Sequence, residues 1–165
     1  MKRVFCALLA ALLLISLTGC GKKAKPPVTI DLEYFVRLGK IPECGLVLGA
    51  SAAEFEREAQ TFLKADRLFL EKEGVLYCCD EGDETRTVKY IVSYNGAYGF
   101  PAGTEVSIIT EELAKGDMRA PELPLEQKEL FWADEGEYTG IKYTYGVNTA
   151  CFVFSEGKLY ACAMY

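Results

Sequence analysis

The sequence contains no histidine among its 165 residues. This absence excludes the Ser-His-Asp triad, the Cys-His dyad and zinc sites that depend on histidine ligands. Carboxylate chemistry stays open, because Asp and Glu together number 24. No motif for a metal or a cofactor is present, and we therefore expect neither.

Basic residues are also fewer than acidic ones. Lys and Arg together number 18, which leaves a formal net charge of −6. An acidic domain repels polyanions, so we expect no nucleic-acid partner. Half of the residues are hydrophobic, and the length allows one domain with a real core but not two.

The seven cysteines include no C-x-x-C pair, which disfavours a metal site or a redox motif. Five of them lie in the body of the chain, and an odd number cannot all form disulfides within one molecule. Two interpretations remain open: small apolar residues buried in strands, or a partial disulfide framework. We favour the first for Cys44, Cys78, Cys79, Cys151 and Cys162.

A hydrophobic segment follows the basic start Met1–Arg3. Val4–Leu17 is apolar except for Ser16, and its length of about 14 residues suits the core of a signal peptide better than a membrane-spanning helix. The next residues, Leu17-Thr18-Gly19-Cys20, resemble the lipobox of bacterial lipoproteins. That resemblance implies a diacylglyceryl group on Cys20 and cleavage just before it, which makes residues 1–19 a signal peptide. An ordinary signal peptide or an uncleaved anchor is the alternative.

Residues 20–30 are predicted to form a tether. Lys22, Lys23 and Lys25 favour an anionic leaflet, each by roughly 1 kcal/mol, and Pro26-Pro27 favours an extended spacer. Two acyl chains on Cys20 would hold the chain firmly, whereas one chain holds only marginally. We therefore expect a protein anchored to the cell membrane through lipid at Cys20, on the extracytoplasmic face.

The body of the chain, residues 31–165, is predicted to be a single α+β domain. Ser51 and Glu54 have the spacing of a capping box, and a helical apolar face follows. These features predict the main helix over 52–64. A strand at 105–109, a short helical turn through Ala114 and a long loop at 115–127 are expected further along.

Strand patterns fill most of the rest. Lys72-Glu73-Gly74 is predicted to turn a hairpin between two apolar runs, and the acidic turn 80–84 leads into a further strand. That turn could bind calcium, but a solvated turn is the better interpretation. The C-terminal part predicts a four-stranded β-meander, formed by KELFWAD, EYTGIKYTYG, NTACFVF and GKLYACAMY.

The last two strands suggest one specific pairing. A two-residue turn at Glu156-Gly157 would place Cys151 opposite Cys162, within the Cα separation that a disulfide allows. We retain this disulfide as a minor alternative to free thiols. Both faces of this hairpin are apolar, so we expect it to be central and covered on both sides, or else to meet a partner.

Two short stretches, LGASAAEF and VFSEGKLYACAMY, loosely resemble small envelope lipoproteins of the SmpA/OmlA type. In that family a Leu-Gly-x-Ser/Thr turn opens a helix and a Gly-Lys-Leu hairpin closes a sheet. The resemblance implies one main helix packed on an antiparallel sheet, which agrees with the α+β prediction. Ala50 stands where the family usually has Met, and the family's role in outer-membrane assembly is not carried over.

The expected function is that of a non-catalytic binding or scaffold lipoprotein of the cell envelope. Its partner would be an unidentified envelope protein or cell-wall component, and the ten tyrosines could supply a binding face or be ordinary strand residues. The alternative is a carboxylate-dependent cell-wall hydrolase with two acidic groups roughly 5–9.5 Å apart. No pair of carboxylates is singled out by the sequence, so an enzyme is the weaker hypothesis.

Overall fold

A computed structural model describes residues 31–165 of the chain. The predicted signal peptide and the whole of the predicted tether, which includes Cys20, lie outside the described residues. Within them, no helix is both long and apolar enough to cross a membrane.

The fold is dominated by one antiparallel sheet of eight strands. The sheet order is β1-β2-β3-β4-β10-β9-β8-β7, so two meanders meet where β4 pairs with β10. A separate two-stranded ribbon, β5–β6, follows β4. The strands are β1 Gln60–Lys64, β2 Arg67–Lys72, β3 Val75–Asp80, β4 Val88–Ser93, β5 Gly96–Ala97, β6 Phe100–Pro101, β7 Leu123–Pro124, β8 Thr139–Tyr145, β9 Asn148–Ser155 and β10 Lys158–Met164.

The helices are small beside this sheet. The described elements are α1 at Leu32–Arg37, a 3₁₀ turn at Phe55–Arg57 and α2 at Val106–Lys115. The predicted α+β class therefore holds in its coarse form, with one main helix and an antiparallel sheet. That helix is α2, and it does not lie where the sequence pattern placed it.

The predicted helix over 52–64 is wrong. Ser51 does not cap a helix: its hydroxyl donates to the carbonyl of Thr85, and its backbone forms a bridge with Thr87. After a single 3₁₀ turn, residues 60–64 pair with β2 along their whole length. Pairing with the sheet has overridden the local helical pattern, as tertiary context often does.

The predicted strand at 105–109 is also wrong, because α2 begins at Val106. Ile109 and Leu113 are four residues apart, on one side of the helix, and both are buried against the sheet. Glu105 ends the preceding extended segment with ψ near 142°, so the helix starts directly after it.

Two predicted hairpins are confirmed. Glu73-Gly74 joins β2 to β3, and Glu156-Gly157 joins β9 to β10. In each turn both residues have positive φ, which matches the type I′ turn that suits the twist of a hairpin. The meander prediction is right for β8, β9 and β10 but wrong for KELFWAD, where residues 128–133 form turns rather than a strand.

The sheet is covered on both faces. One face packs against α1, α2 and the β5–β6 ribbon, through residues such as Leu32, Ile109 and Phe152. The other face packs against the turns of residues 125–133, including Leu130 and Trp132. Buried residues of β9 and β10 belong to both clusters, so the last hairpin is central, as expected.

The predicted register of that hairpin is wrong by one residue beyond its first two pairs. Leu159 pairs with Phe154, but Ala161 pairs with Val153, which leaves Tyr160 as a β-bulge. One extra residue turns every later side chain to the opposite face. Ala163, and not Cys162, therefore lies opposite Cys151.

A turn between β1 and β2 carries backbone strain that can be tested. Ala65 and Asp66 have φ of 51° and 58°, a conformation that costs most residues roughly 1–2 kcal/mol. Both are exposed. Replacing them with the preferred type I′ pair, Ala65→Asn with Asp66→Gly, should raise the free energy of unfolding by about 1–2 kcal/mol, measured by urea denaturation.

Ala114→Gly, in α2, is the matched control and should lower stability by roughly 1 kcal/mol. A double variant no more stable than the original chain would contradict the two-residue turn.

Candidate interaction site at the open edge of the sheet

The two edges of the sheet differ in how they end. At one edge, β7 is two residues long and contains Pro124. Proline has no backbone N–H, so it cannot donate to a further strand, and such short proline-containing edges are a common protection against unwanted pairing. Pro124 blocks strand addition at β7 itself, which pairs with two of the seven residues of β8.

The β1 edge has none of these protections. All five of its residues are exposed, it contains no proline, and its pairing with β2 runs through five consecutive residues without a bulge. A strand in this position presents a row of unpaired N–H and C=O groups, which is a template for another strand. The sequence Gln60-Thr61-Phe62-Leu63-Lys64 therefore forms an open edge.

The open edge also carries apolar side chains. Phe62 is 38% exposed and Leu63 is 61% exposed, on opposite faces of the strand. The ring of Phe62 stacks on that of Phe69 in β2, with centroids 5.2 Å apart and planes 8° from parallel. One flank of Phe62 is thus already packed on a cross-strand neighbour, and the opposite flank faces the free edge.

One end of β1 is fixed to the body of the protein. The ammonium group of Lys64 donates to the carbonyl oxygens of Trp132 and Ala133, at 3.2 and 3.0 Å. These carbonyls belong to the turns that cover the second sheet face. The strand is therefore positioned by β2 and by Lys64, and no strand formed by residues 31–165 pairs with its outer side.

Charge is distributed unevenly along the edge. Lys64 and its partner Arg67 lie at one end, and Gln60 lies opposite Glu71 at the other. Close to that second end, the carboxylate of Glu58 accepts a hydrogen bond of 2.6 Å from Lys72. This contact lowers the pKa of Glu58 and raises that of Lys72. The edge thus has a basic end and a mixed, mainly acidic end.

A second feature is a groove of about 580 Å³ between β7, β8 and the turn that joins β9 to β10. Three exposed glutamates line it: Glu122, Glu137 and Glu156. Glu122 accepts a hydrogen bond from the hydroxyl of Thr139. The groove brings these carboxylates together, and Leu125, Tyr138 and Phe154 supply most of its apolar lining.

Five of the ten tyrosines pack together on the second sheet face, whereas Tyr34 is exposed. Tyr90, Tyr94, Tyr138, Tyr160 and Tyr165 are half-buried in the cluster that Trp132 and Phe131 cover. Stacked and edge-on ring pairs connect them. Burial is also the main reason why the pKa values of Tyr90 and Tyr94 are raised.

The acidic turn at 80–84 binds its own backbone. The carboxylate of Asp83 accepts hydrogen bonds of 2.9 Å from the amides of Thr85 and Thr87, and another from the Thr85 hydroxyl. These bonds hold the pKa of Asp83 below its usual range. Across residues 31–165 no group of three acidic or sulfur side chains is arranged to hold a metal ion.

The five cysteines of the described chain are free and buried. Cys151 packs in the cluster beneath Trp132, whereas Cys162 packs on the face that α1 and α2 cover, so the register argument for a disulfide between them does not hold. Desolvation raises the pKa of the Cys44 and Cys151 thiols to about 12 and that of Cys79 to about 11.

Compared with protein-family models, with curated proteins and with solved structures, the chain gives no significant match. The loose likeness to SmpA/OmlA-type lipoproteins relied partly on a helix after Ser51, and that segment holds only the 3₁₀ turn. The hairpin at Glu156-Gly157 is present. The open edge therefore has to be interpreted from its own geometry.

The buried thiols lead to a direct prediction. Because the thiolate is the reactive form and these thiols are both buried and raised in pKa, Cys44, Cys78, Cys79, Cys151 and Cys162 should not react with Ellman's reagent in the native protein at pH 8. After denaturation in guanidinium, all five should react in the mature protein, which lacks Cys6 and whose Cys20 carries the proposed lipid. Fast reaction of two or more in the native state would contradict their burial, and fewer than five after denaturation would indicate a disulfide.

Proposed function

We propose that this protein is a lipid-anchored lipoprotein of the cell envelope that acts as a non-catalytic binding module through its β1 edge. The anchor is the acylated Cys20, and residues 20–30 are the tether to the extracytoplasmic face of the membrane. The observation that carries the proposal is the open β1 edge itself, which is five exposed residues long, contains no proline or bulge, and carries the exposed side chains of Phe62 and Leu63. The fitting partner is an extended polypeptide segment, which adds to the sheet as a ninth strand.

Strand addition explains two properties of the edge together. The backbone of β1 supplies hydrogen bonds that do not depend on the partner's side chains, and Phe62 and Leu63 supply apolar contacts on the two faces. Alternate side chains of an added strand would meet these two faces in turn. Affinity would come from the backbone and selectivity from the apolar positions.

The alternative, a carboxylate-dependent cell-wall hydrolase, has less support. A general acid needs a carboxyl group whose pKa is raised. Among residues 31–165 the carboxyl groups with clearly displaced pKa values are Glu58, Asp83 and Glu129, and all three are displaced downward. The pKa of Glu129 is lowered chiefly by its hydrogen bond to Lys142. These groups are suited to ion pairs and hydrogen bonds, not to proton donation.

Photo-crosslinking tests the proposed edge in the native host. A chain with p-benzoylphenylalanine in place of Leu63 should yield a covalent adduct on irradiation, because an added strand lies about 4.8 Å from β1. The same group in place of Val147, which is 94% exposed in the turn between β8 and β9, is the matched control. Mass spectrometry identifies any adduct. Equal yields at both positions, or no adduct at position 63, would contradict the proposed edge.

The anchor is tested separately in the same cells. The original chain should fractionate with the membrane, begin at Cys20 and carry a diacylglyceryl group there, and Cys20→Ser should abolish both the lipid and the cleavage before residue 20. Two acyl chains supply far more membrane affinity than the lysines of the tether alone. An unmodified Cys20 in a chain recovered from the cytosol would overturn the anchor while leaving the edge untouched.

A further inference from the structure

We infer that the strand added at β1 is the β1 strand of a second copy of this chain, which joins two sheets into one across a two-fold axis. This inference rests on the proposed use of the β1 edge and names the partner. The axis passes beside Phe62, so that Phe62 pairs with Phe62 of the second copy. In this antiparallel register Thr61 lies opposite Leu63, and Gln60 lies opposite Lys64.

The side chains at the edge are complementary to themselves in that register. On one face the stacked pair Phe69–Phe62 continues into its symmetry mate and gives a ladder of four rings across the interface. Aromatic pairs across strands each contribute roughly 0.2–1 kcal/mol. On the other face each exposed Leu63 lies beside Thr61 of the other copy. The two leucines are diagonal neighbours across the two-fold axis.

The charges agree with the same arrangement. Antiparallel pairing brings the basic end of one edge, Lys64 and Arg67, alongside the Gln60 and Glu71 end of the other. No two like charges lie directly opposite one another, and such pairs would destabilise the contact. The chain as a whole has a net charge of −6, so this local complementarity is needed to bring two acidic domains together.

Confinement at the membrane allows two copies to associate through this small contact. Two five-residue strands form an interface well below the ~1,200 Å² typical of stable complexes, so the domains should associate weakly when free in solution. A tether of residues 20–30 confines both copies to a thin layer, and confinement raises the effective concentration without any new contact. Association is therefore expected mainly in the anchored protein.

Engineered cysteines test the register. Thr61→Cys and Leu63→Cys chains, carrying different tags, are co-expressed in the native host and oxidised mildly in isolated membranes. Residues 61 and 63 of the two copies lie directly opposite, within disulfide range, whereas two copies of residue 63 are roughly 7–8 Å apart. Mixed 61–63 dimers should form at least about tenfold faster than 63–63 dimers. The buried native thiols do not compete.

The original chain is the control for any reaction of other cysteines, including Cys20, and Val147→Cys is the control for chance collision at an exposed site. Mixed dimers no faster than those of Val147→Cys would overturn the inference. If the benzoylphenylalanine group at position 63 then captures a different protein, the proposed edge stands and only the identity of its partner is wrong. If it captures nothing, both fail.

Discussion

Backbone pairing in the antiparallel sheet is the constraint on which the rest of this structure depends. Every buried N–H and C=O group needs a partner, and here the partners come mainly from neighbouring strands. The two meanders, β1–β4 and β7–β10, are joined through the pairing of β4 with β10, and helices and turns then cover both faces. An antiparallel sheet can add strands at any edge whose backbone groups are free. Pro124 prevents this at β7, and among the described residues β1 contains no proline and no bulge.

The predictable parts of the fold were those with a strong local signal. The sequence predicts the hairpins at Glu73-Gly74 and Glu156-Gly157 because glycine adopts positive φ without strain. The apolar runs on either side of these turns indicate the strands. The missed parts depended on contacts between distant residues. Ala65-Asp66 is not a typical turn sequence, so the sequence did not predict the hairpin that makes residues 60–64 a strand. The capping pattern at Ser51 predicted a helix instead. The bulge at Tyr160 has no sequence signal either, and it alone invalidated the predicted opposition of Cys151 and Cys162.

The candidate site was missed for the same reason. An open edge is a property of the whole sheet order, and no stretch of sequence shows which strand ends a sheet. Thr61 and Phe62 favour strands, which is the one local hint that could have been used. The segment nevertheless reads as an amphipathic helix, and conflicts between local pattern and final structure are expected where function competes with stability. By contrast, the resemblance of residues 17–20 to a lipobox rests on sequence alone, since these residues lie outside the described part of the chain, and the anchor at Cys20 stays a prediction.

The proposed anchor and the proposed use of the β1 edge support each other. A small interface that is too weak to hold two free domains becomes effective when both domains are confined near one surface, so the proposed strand pairing depends on the proposed tether. The central structural claim is that residues 60–64 form a strand with one side paired and the other open. Residue-resolved NMR of this segment tests it most directly, through backbone chemical shifts and amide hydrogen exchange in the dilute protein. The account predicts strand-type shifts, with amides that face β2 exchanging more slowly than the alternating amides that face outward. Helical shifts with continuous protection from residue 52 to residue 64 would contradict it.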